Sequence, residues 1–315
     1  MMKAAVIDRY GGSEVVHIRD VTPPVSGRSD VLVRVHAASV NPLDWKVRSG
    51  MTKILTGRAF PKILGSECAG EIVEKGAGVT LFQKGDQVIV YPGIRRLGAF
   101  AEYVAAGGQN TFLKPRNITF GQASGIPVAG IAALQALRDL GHIEPGMKVL
   151  INGASGGVGH FAVQIAKVFN SAVTAVCSDA NADFARGLGA DRTIDYLKED
   201  FTKGEERFDV IFDAVTKRTF AECRKALTPT GVYVSTLPSF SVLLNQYVLG
   251  FLTGRKAASV MVRPNATDME WMRTQIEEGR IKVVVDRVYP LEQIREAFAY
   301  SETGKARGKI IIKIT

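Results

Sequence analysis

The stretch with the most definite chemistry is Val149-Leu150-Ile151-Asn152-Gly153-Ala154-Ser155-Gly156-Gly157-Val158-Gly159. An apolar run ends in a glycine-rich turn. The turn opens a segment with Val158, Phe161, Ala162, Ile165, Ala166 and Phe169 on one helical face. Glycine removes the side chain where backbone must approach a pyrophosphate closely. The N–H groups and the dipole at the helix start then hold the anion. Glycines also make ordinary turns, but here strand, helix and next strand arrive in register. Ala154, Ser155, Gly156, Gly157, Val158 and Gly159 are therefore candidate cofactor-binding residues. The next apolar run, Ala172 to Cys177, leads into Ser178 and Asp179, about twenty residues past the last glycine, where an acid grips the ribose 2′-OH of NAD. Asp179 is either that acid or the N-cap of the next helix. No Lys or Arg falls within 178–182 to meet a 2′-phosphate, so the local chemistry leaves NADH and NADPH open.

Two kinds of element must position this turn. Residues 1 to about 120 read as β-rich: Val31–Val35 alternates, and Glu71–Lys75, Gln87–Tyr91 and Ala99–Ala105 are short apolar runs between Gly and Pro turns. They predict a small barrel-like domain. From Gln122 the pattern changes. A helix is predicted over Gln122–Leu140, followed by strands at 148–152, 172–177, 192–195, 208–213 and 232–235. Helices are predicted at 157–169, 181–188 and 217–227. This alternation predicts a doubly wound parallel sheet, an α/β Rossmann domain. The last fifty residues predict a helix (268–278), a strand (282–286), a helix (291–300) and a strand (309–314). Their pattern fits either an extended parallel sheet or a return to the first domain.

With 315 residues, two domains are expected. Three widely spaced cysteines make neither a disulfide framework nor a metal knuckle, and fit a reducing, cytoplasmic setting. No secretory signal and no transmembrane segment is read. The apolar stretch from Phe240 to Leu252 is short of the roughly 20 residues that a bilayer needs. It reads as a cleft cover, a subunit contact or, third, a membrane-surface contact. A net charge of +9 without a Lys/Arg run is read as a dispersed basic surface, with no nucleic-acid partner expected.

Further markers run in order along the chain: Ala38-Ser39-Val40-Asn41-Pro42-Leu43-Asp44-Trp45-Lys46, Gly65-Ser66-Glu67-Cys68-Ala69-Gly70, Gly85-Asp86-Gln87-Val88, Pro127-Val128-Ala129-Gly130, Leu188-Gly189-Ala190-Asp191, Asp195-Tyr196 and Gly308-Lys309-Ile310. Together with the glycine turn they resemble the medium-chain dehydrogenase/reductase superfamily, in its zinc-free quinone oxidoreductase branch. The resemblance implies a GroES-like β-barrel domain (1–122 and 265–315), a Rossmann domain (123–264) and an active site in the cleft between them. It implies that the C-terminal segment returns to the barrel domain, and that the chain forms a homodimer. The zinc-dependent branch is similar but has Gly-His-Glu where this chain has Gly65-Ser66-Glu67. Zinc needs at least three converging ligands, and His17, His36, His142 and His160 share no ligand spacing. No metal is expected.

Without a metal, reducing an activated double bond or a quinone is easier than activating an alcohol. The developing enolate needs a hydrogen-bond donor and then a proton. The resemblance puts Asn41 near nicotinamide and substrate, as a catalytic and cofactor-binding residue. Lys46 stands where many relatives have Tyr; it either orients substrate or is a surface lysine. Asp44 is expected to bond backbone at the turn. The resemblance further assigns to the cofactor Cys177, Ser178, Asp179, Asn181 and Tyr196, then Asp213, Ala214 and Val215, then Thr236, Leu237, Val262 and Lys309. Relatives often carry a basic residue at 180 or 181, where this chain has Ala180 and Asn181. The expectation is an NADPH-dependent reductase of a quinone or an α,β-unsaturated carbonyl, with NADH not excluded. The alternative is a dinucleotide binder without activity, either structural or nucleic-acid-binding.

Overall fold

The computed structural model describes residues 1–237, 242 and 255–315. The chain divides into two compact units. Unit 1 comprises Met1–Val128, Pro264–Glu278 and Val283–Thr315; unit 2 comprises Ala129–Arg263 and Gly279–Lys282. The expected boundaries are 122/123 and 264/265, with no part of 265–315 in the second unit. The added segment 279–282 belongs to unit 2 because Gln164 clasps it: Gln164 Nε2 donates to the Lys282 carbonyl at 2.9 Å and Lys282 N–H donates to Gln164 Oε1 at 2.7 Å.

In unit 1, β1 (Met2–Ile7) pairs antiparallel with β2 (Val16–Val21) and with β4 (Lys62–Ile63). The larger sheet is centred on β3 (Asp30–Val40). Val31, Val33 and Val35 of β3 are buried while Leu32 and Arg34 are more open, which is the two-residue period of a half-buried strand. From β3 the sheet runs through β5 (Cys68–Lys75) and β6 (Gln87–Val90) to β8 (Thr111–Leu113), and β7 (Tyr103–Gly107) also pairs with β3. The chain's last strands close the other side. β16 (Lys309–Lys313) lies antiparallel to β3 and parallel to β15 (Val285–Pro290). The C-terminal segment therefore returns to unit 1. Phe100 and Phe298 meet edge-on at 6.0 Å in the core beneath.

Among the described residues, the strands of unit 2 form one six-stranded parallel sheet. Its strands are β9 (Lys148–Asn152), β10 (Ala172–Cys177), β11 (Arg192–Asp195), β12 (Phe208–Asp213), β13 (Leu227–Ser235) and β14 (Lys256–Ser259). Their spatial order, β11-β10-β9-β12-β13-β14, is the 3-2-1-4-5-6 order of a doubly wound dinucleotide-binding sheet. Val149, Leu150 and Ile151 are all buried, as a strand covered on both faces requires.

Four expected elements differ. The single helix over 122–140 is a run of α-turns at Phe120–Ser124 and Ile131–Leu134 alternating with π-turns at Ile126–Gly130 and Gln135–Leu140; Pro127 has no N–H to continue an α-helical ladder. The strand expected at 282–286 is shifted to Val285–Pro290, because Gln164 holds Lys282. The run 99–105 yields a strand only from Tyr103, since Phe100 pairs outside it, with Leu64 and Ala5. The helix expected at 217–227 shrinks to Phe220–Cys223 and a 3-10 turn. Asp213 captures the preceding backbone, and Thr219 caps the short helix by accepting from Glu222 N–H. The stretch from Phe240 to Leu252, read as a cover or contact, lies outside the described residues apart from Val242. No helix among the described residues is long and apolar enough to cross a membrane.

Candidate functional site

The glycine turn follows β9 directly and precedes the helix Gly159–Val168. Gly153 has φ +81°, a conformation that side chains disfavour. A Cβ on Gly159 would lie 2.1 Å from the Gly153 carbonyl oxygen, so this helix start is closed to any larger residue. The turn sits at the carboxyl end of β9, where strand order reverses toward β12. Asn152 Nδ2 donates to Asp213 Oδ1 at 3.0 Å across that point. In open parallel sheets this is where ligands bind.

The neighbouring strand ends shape the rest. Asn181 Nδ2 donates to Ser155 Oγ at 3.1 Å, tying the end of β10 to the glycine turn. Asn181 Oδ1 is buried and has no hydrogen-bond partner among the described residues. A glycine turn closed to Cβ atoms at Gly153 and Gly159, with an unsatisfied acceptor beside it, fits the pyrophosphate and ribose of a dinucleotide. Ser178 and Asp179 follow β10, and Tyr196, mostly exposed, donates its N–H to the Cys177 carbonyl at 3.3 Å. Lys198 comes from the loop after β11. Its Nζ donates to Asp179 Oδ2 at 3.1 Å and lies 3.6 Å from Asp195. A cation that the window 178–182 lacks thus stands beside Asp179, supplied by the loop after β11.

Asp213 is buried and saturated within the protein. Oδ1 accepts from Asn152 and from the N–H groups of Val215 and Thr216; Oδ2 accepts from Arg218 N–H and Tyr233 OH. Its side chain organises the loop carrying Ala214 and Val215. Thr216 and Thr236 hydroxyls meet at 3.1 Å, joining that loop to the end of β13, and Leu237 N–H is held by Ser235 Oγ at 3.2 Å. Val262, half-buried, lies just beyond β14.

In unit 1, Asn41 precedes the helix Pro42–Arg48. Asp44 Oδ2 accepts the Asn41 backbone N–H at 2.7 Å, the turn role expected of it. The Asn41 side chain turns to two other residues. Nδ2 donates to Glu67 Oε1 at 2.7 Å, and Oδ1 accepts from Lys309 Nζ at 2.7 Å. Lys309 Nζ also reaches Glu67 Oε1 at 3.2 Å. Ser39 Oγ donates to the same carboxylate oxygen, and Val128 N–H donates to Oε2 at 2.7 Å. Asn41, Glu67 and Lys309 are all buried. Burial pushes the Asp44 carboxyl up to about 7, with the Glu67 charge adding to the rise; the Asn41 N–H, Ser66 and Lys309 oppose it. Burial, then Glu67 and Asp44, push the Tyr91 phenol up to about 12.

Sequence reasoning named Asn41 and Lys309 separately, and the structure joins them through Glu67. Lys46 stays outside: its Nζ lies 5.5 Å from the Trp45 ring centroid, burial lowers its pKa, and no hydrogen bond links it to Asn41. Ser66 is buried, and its Oγ has no hydrogen-bond partner of good geometry among the described residues. Among those residues no group of three or more His, Cys, Asp or Glu comes together to hold a metal ion.

Residues 27–116 match the family of alcohol dehydrogenase GroES-like domains, and residues 188–312 match the zinc-binding dehydrogenase family. The chain is 32% identical to a chloroplast envelope quinone oxidoreductase homolog of Arabidopsis thaliana, over 99% of this chain and 98% of the other. It is also 32% identical to an NADPH-dependent alkenal/one oxidoreductase, chloroplastic, of the same plant, over 99% of this chain and 79% of that one. Among solved structures, the quinone oxidoreductase from Coxiella burnetii superposes with a TM-score of 0.92 at 31% identity, covering 100% of this chain and 99% of the other.

Proposed function

The chain belongs to the quinone oxidoreductase branch of the medium-chain dehydrogenase/reductase superfamily, and on that premise we propose an NAD(P)H-dependent reductase of quinones or α,β-unsaturated carbonyls. Unit 1 is its GroES-like domain and unit 2 its Rossmann domain. The observation that carries the reading is the glycine cradle at the switch point of the parallel sheet, with Asn181 Oδ1 unsatisfied beside it.

Residues 154–159 hold the pyrophosphate, and Ser178, Asn181 and Tyr196 surround the adenosine ribose. Lys198 supplies a cation for a 2′-phosphate, which favours NADPH. Asp179 competes for that same lysine, so NADH stays a substrate of lower rank. When bound, the reduced nicotinamide supplies the hydride. The oxyanion that develops on the substrate needs a donor in place before the reaction. Asn41 provides it: one N–H of Nδ2 goes to Glu67, and the second makes no hydrogen bond among the described residues. Zinc plays no part in this reading, because Ser66 is a hydroxyl at the position of the ligating imidazole in zinc-dependent relatives. All three cysteines are free, which fits a reducing compartment, and the cytoplasm is our assignment. A homodimer is the assembly we expect, checked by light scattering of the purified protein.

The test follows loss of NADPH and, separately, NADH absorbance with a simple quinone and with a short enone. Turnover is expected with both acceptors and faster with NADPH. Measurable cofactor binding without turnover on either acceptor would favour a dinucleotide binder without activity.

A further inference from the structure

Asn41 is held more firmly than its place before a helix requires. Its backbone N–H is already satisfied by Asp44. Its side-chain amide has an ammonium on one side and a carboxylate on the other. An ammonium offers only donors and a carboxylate only acceptors. One orientation of the amide satisfies both. The flipped orientation would face NH₂ toward Lys309 and C=O toward Glu67, losing both hydrogen bonds and opposing both charges. Glu67 is itself fixed by Ser39, by Lys309 and by the Val128 backbone, so it cannot follow a flipped amide.

We propose that Glu67 is a positioning residue that, with Lys309, locks the Asn41 amide so that its second N–H, and never its carbonyl, faces the reacting carbonyl oxygen of the substrate. The assignment rests on the reductase reading of Asn41 given above. A carbonyl turned toward the same place would repel the developing oxyanion instead of stabilising it. Glu67 acts entirely through Asn41 and touches no substrate.

The experiment is a double-mutant cycle with a second test of fold. Glu67→Gln is expected to lower kcat by about 100-fold, the scale of a misplaced catalytic group. In an Asn41→Ala background the same change should cost nothing further. An equal loss in both backgrounds would overturn the proposal. Glu67→Gln alone leaves Lys309 buried without its counter-ion and threatens the fold. The double variant Glu67→Gln/Lys309→Met removes both charges. It should regain the wild-type thermal midpoint while kcat stays low; recovery of kcat along with stability would make the pair merely structural. A readout independent of turnover is the side-chain amide signal of Asn41 in asparagine-labelled protein, identified by its loss in Asn41→Ala. The wild type should give one pair of proton resonances, and the double variant two pairs or a broadened one. An unchanged single pair in the double variant overturns the lock. A locked amide in a wild type that reduces neither acceptor overturns the reductase reading and leaves the lock standing.

Discussion

Lys198 and Asp179 meet at 3.1 Å, and which of them a bound ribose engages decides the cofactor. Lys198→Gln should raise KM for NADPH about tenfold, the loss of one charged contact, with KM for NADH little changed. Asp179→Asn should act in the opposite direction, freeing Lys198 and weakening NADH; steady-state kinetics with each cofactor check both. Asp44 makes a separate prediction. Its carboxyl titrates at about 7 in the folded protein, well above an ordinary aspartate. The folded state therefore binds the proton more tightly than the unfolded chain, so stability falls as pH rises from about 4 to about 7 and stays low above that. Asp44→Asn keeps an acceptor for the Asn41 N–H and removes the ionisable group. It should stabilise the protein by on the order of 4 kcal/mol above neutrality, with the gain fading toward pH 4; urea unfolding across that range measures it.

The glycine turn makes the same point for whole elements. Gly159→Ala would drive a Cβ into the Gly153 carbonyl, so the turn must open and the helix start must move. NADPH and NADH affinities should fall together by more than about tenfold, a pattern Lys198→Gln cannot produce; fluorescence titration with both cofactors distinguishes the two. This element was legible from the residues because its signal is local: apolar strand, glycines and amphipathic helix all lie within 148–169. Strands β9, β10, β11 and β12 were legible for the same reason. What the sequence hid depends on distance along the chain. Glu67 stood among the family markers without a role, since only the fold brings it to Asn41 and Lys309. Lys198 lies 19 residues from Asp179, in the loop after the next strand. Lys282 reads as the start of a strand, but a glutamine from the first helix of unit 2's sheet withdraws it. The π-turns were equally out of reach, because an apolar run at helical spacing does not reveal how the hydrogen-bond ladder is wound.

For the molecule as a whole, a serine at 66 and no converging ligand group among the described residues predict a protein purified with far less than one zinc per chain. Its quinone reduction should resist chelators; elemental analysis beside an assay in EDTA tests both. Stoichiometric zinc lost together with activity would overturn that reading. The order in which the chain is made bears on the same buried cluster. β3 and Glu67 belong to the first quarter of the sequence, while β16, which brings Lys309 to them, lies 242 residues after Glu67. At 5–20 residues per second, a ribosome takes roughly 12–50 s to cover that distance. Throughout that interval the carboxylate lacks Lys309, and the sheet of unit 1 has β5 and β7 beside β3 but not β16. The parallel sheet of unit 2 is encoded entirely between these two events. The nascent chain can therefore complete its later-starting unit first, and the site around Asn41 is assembled last.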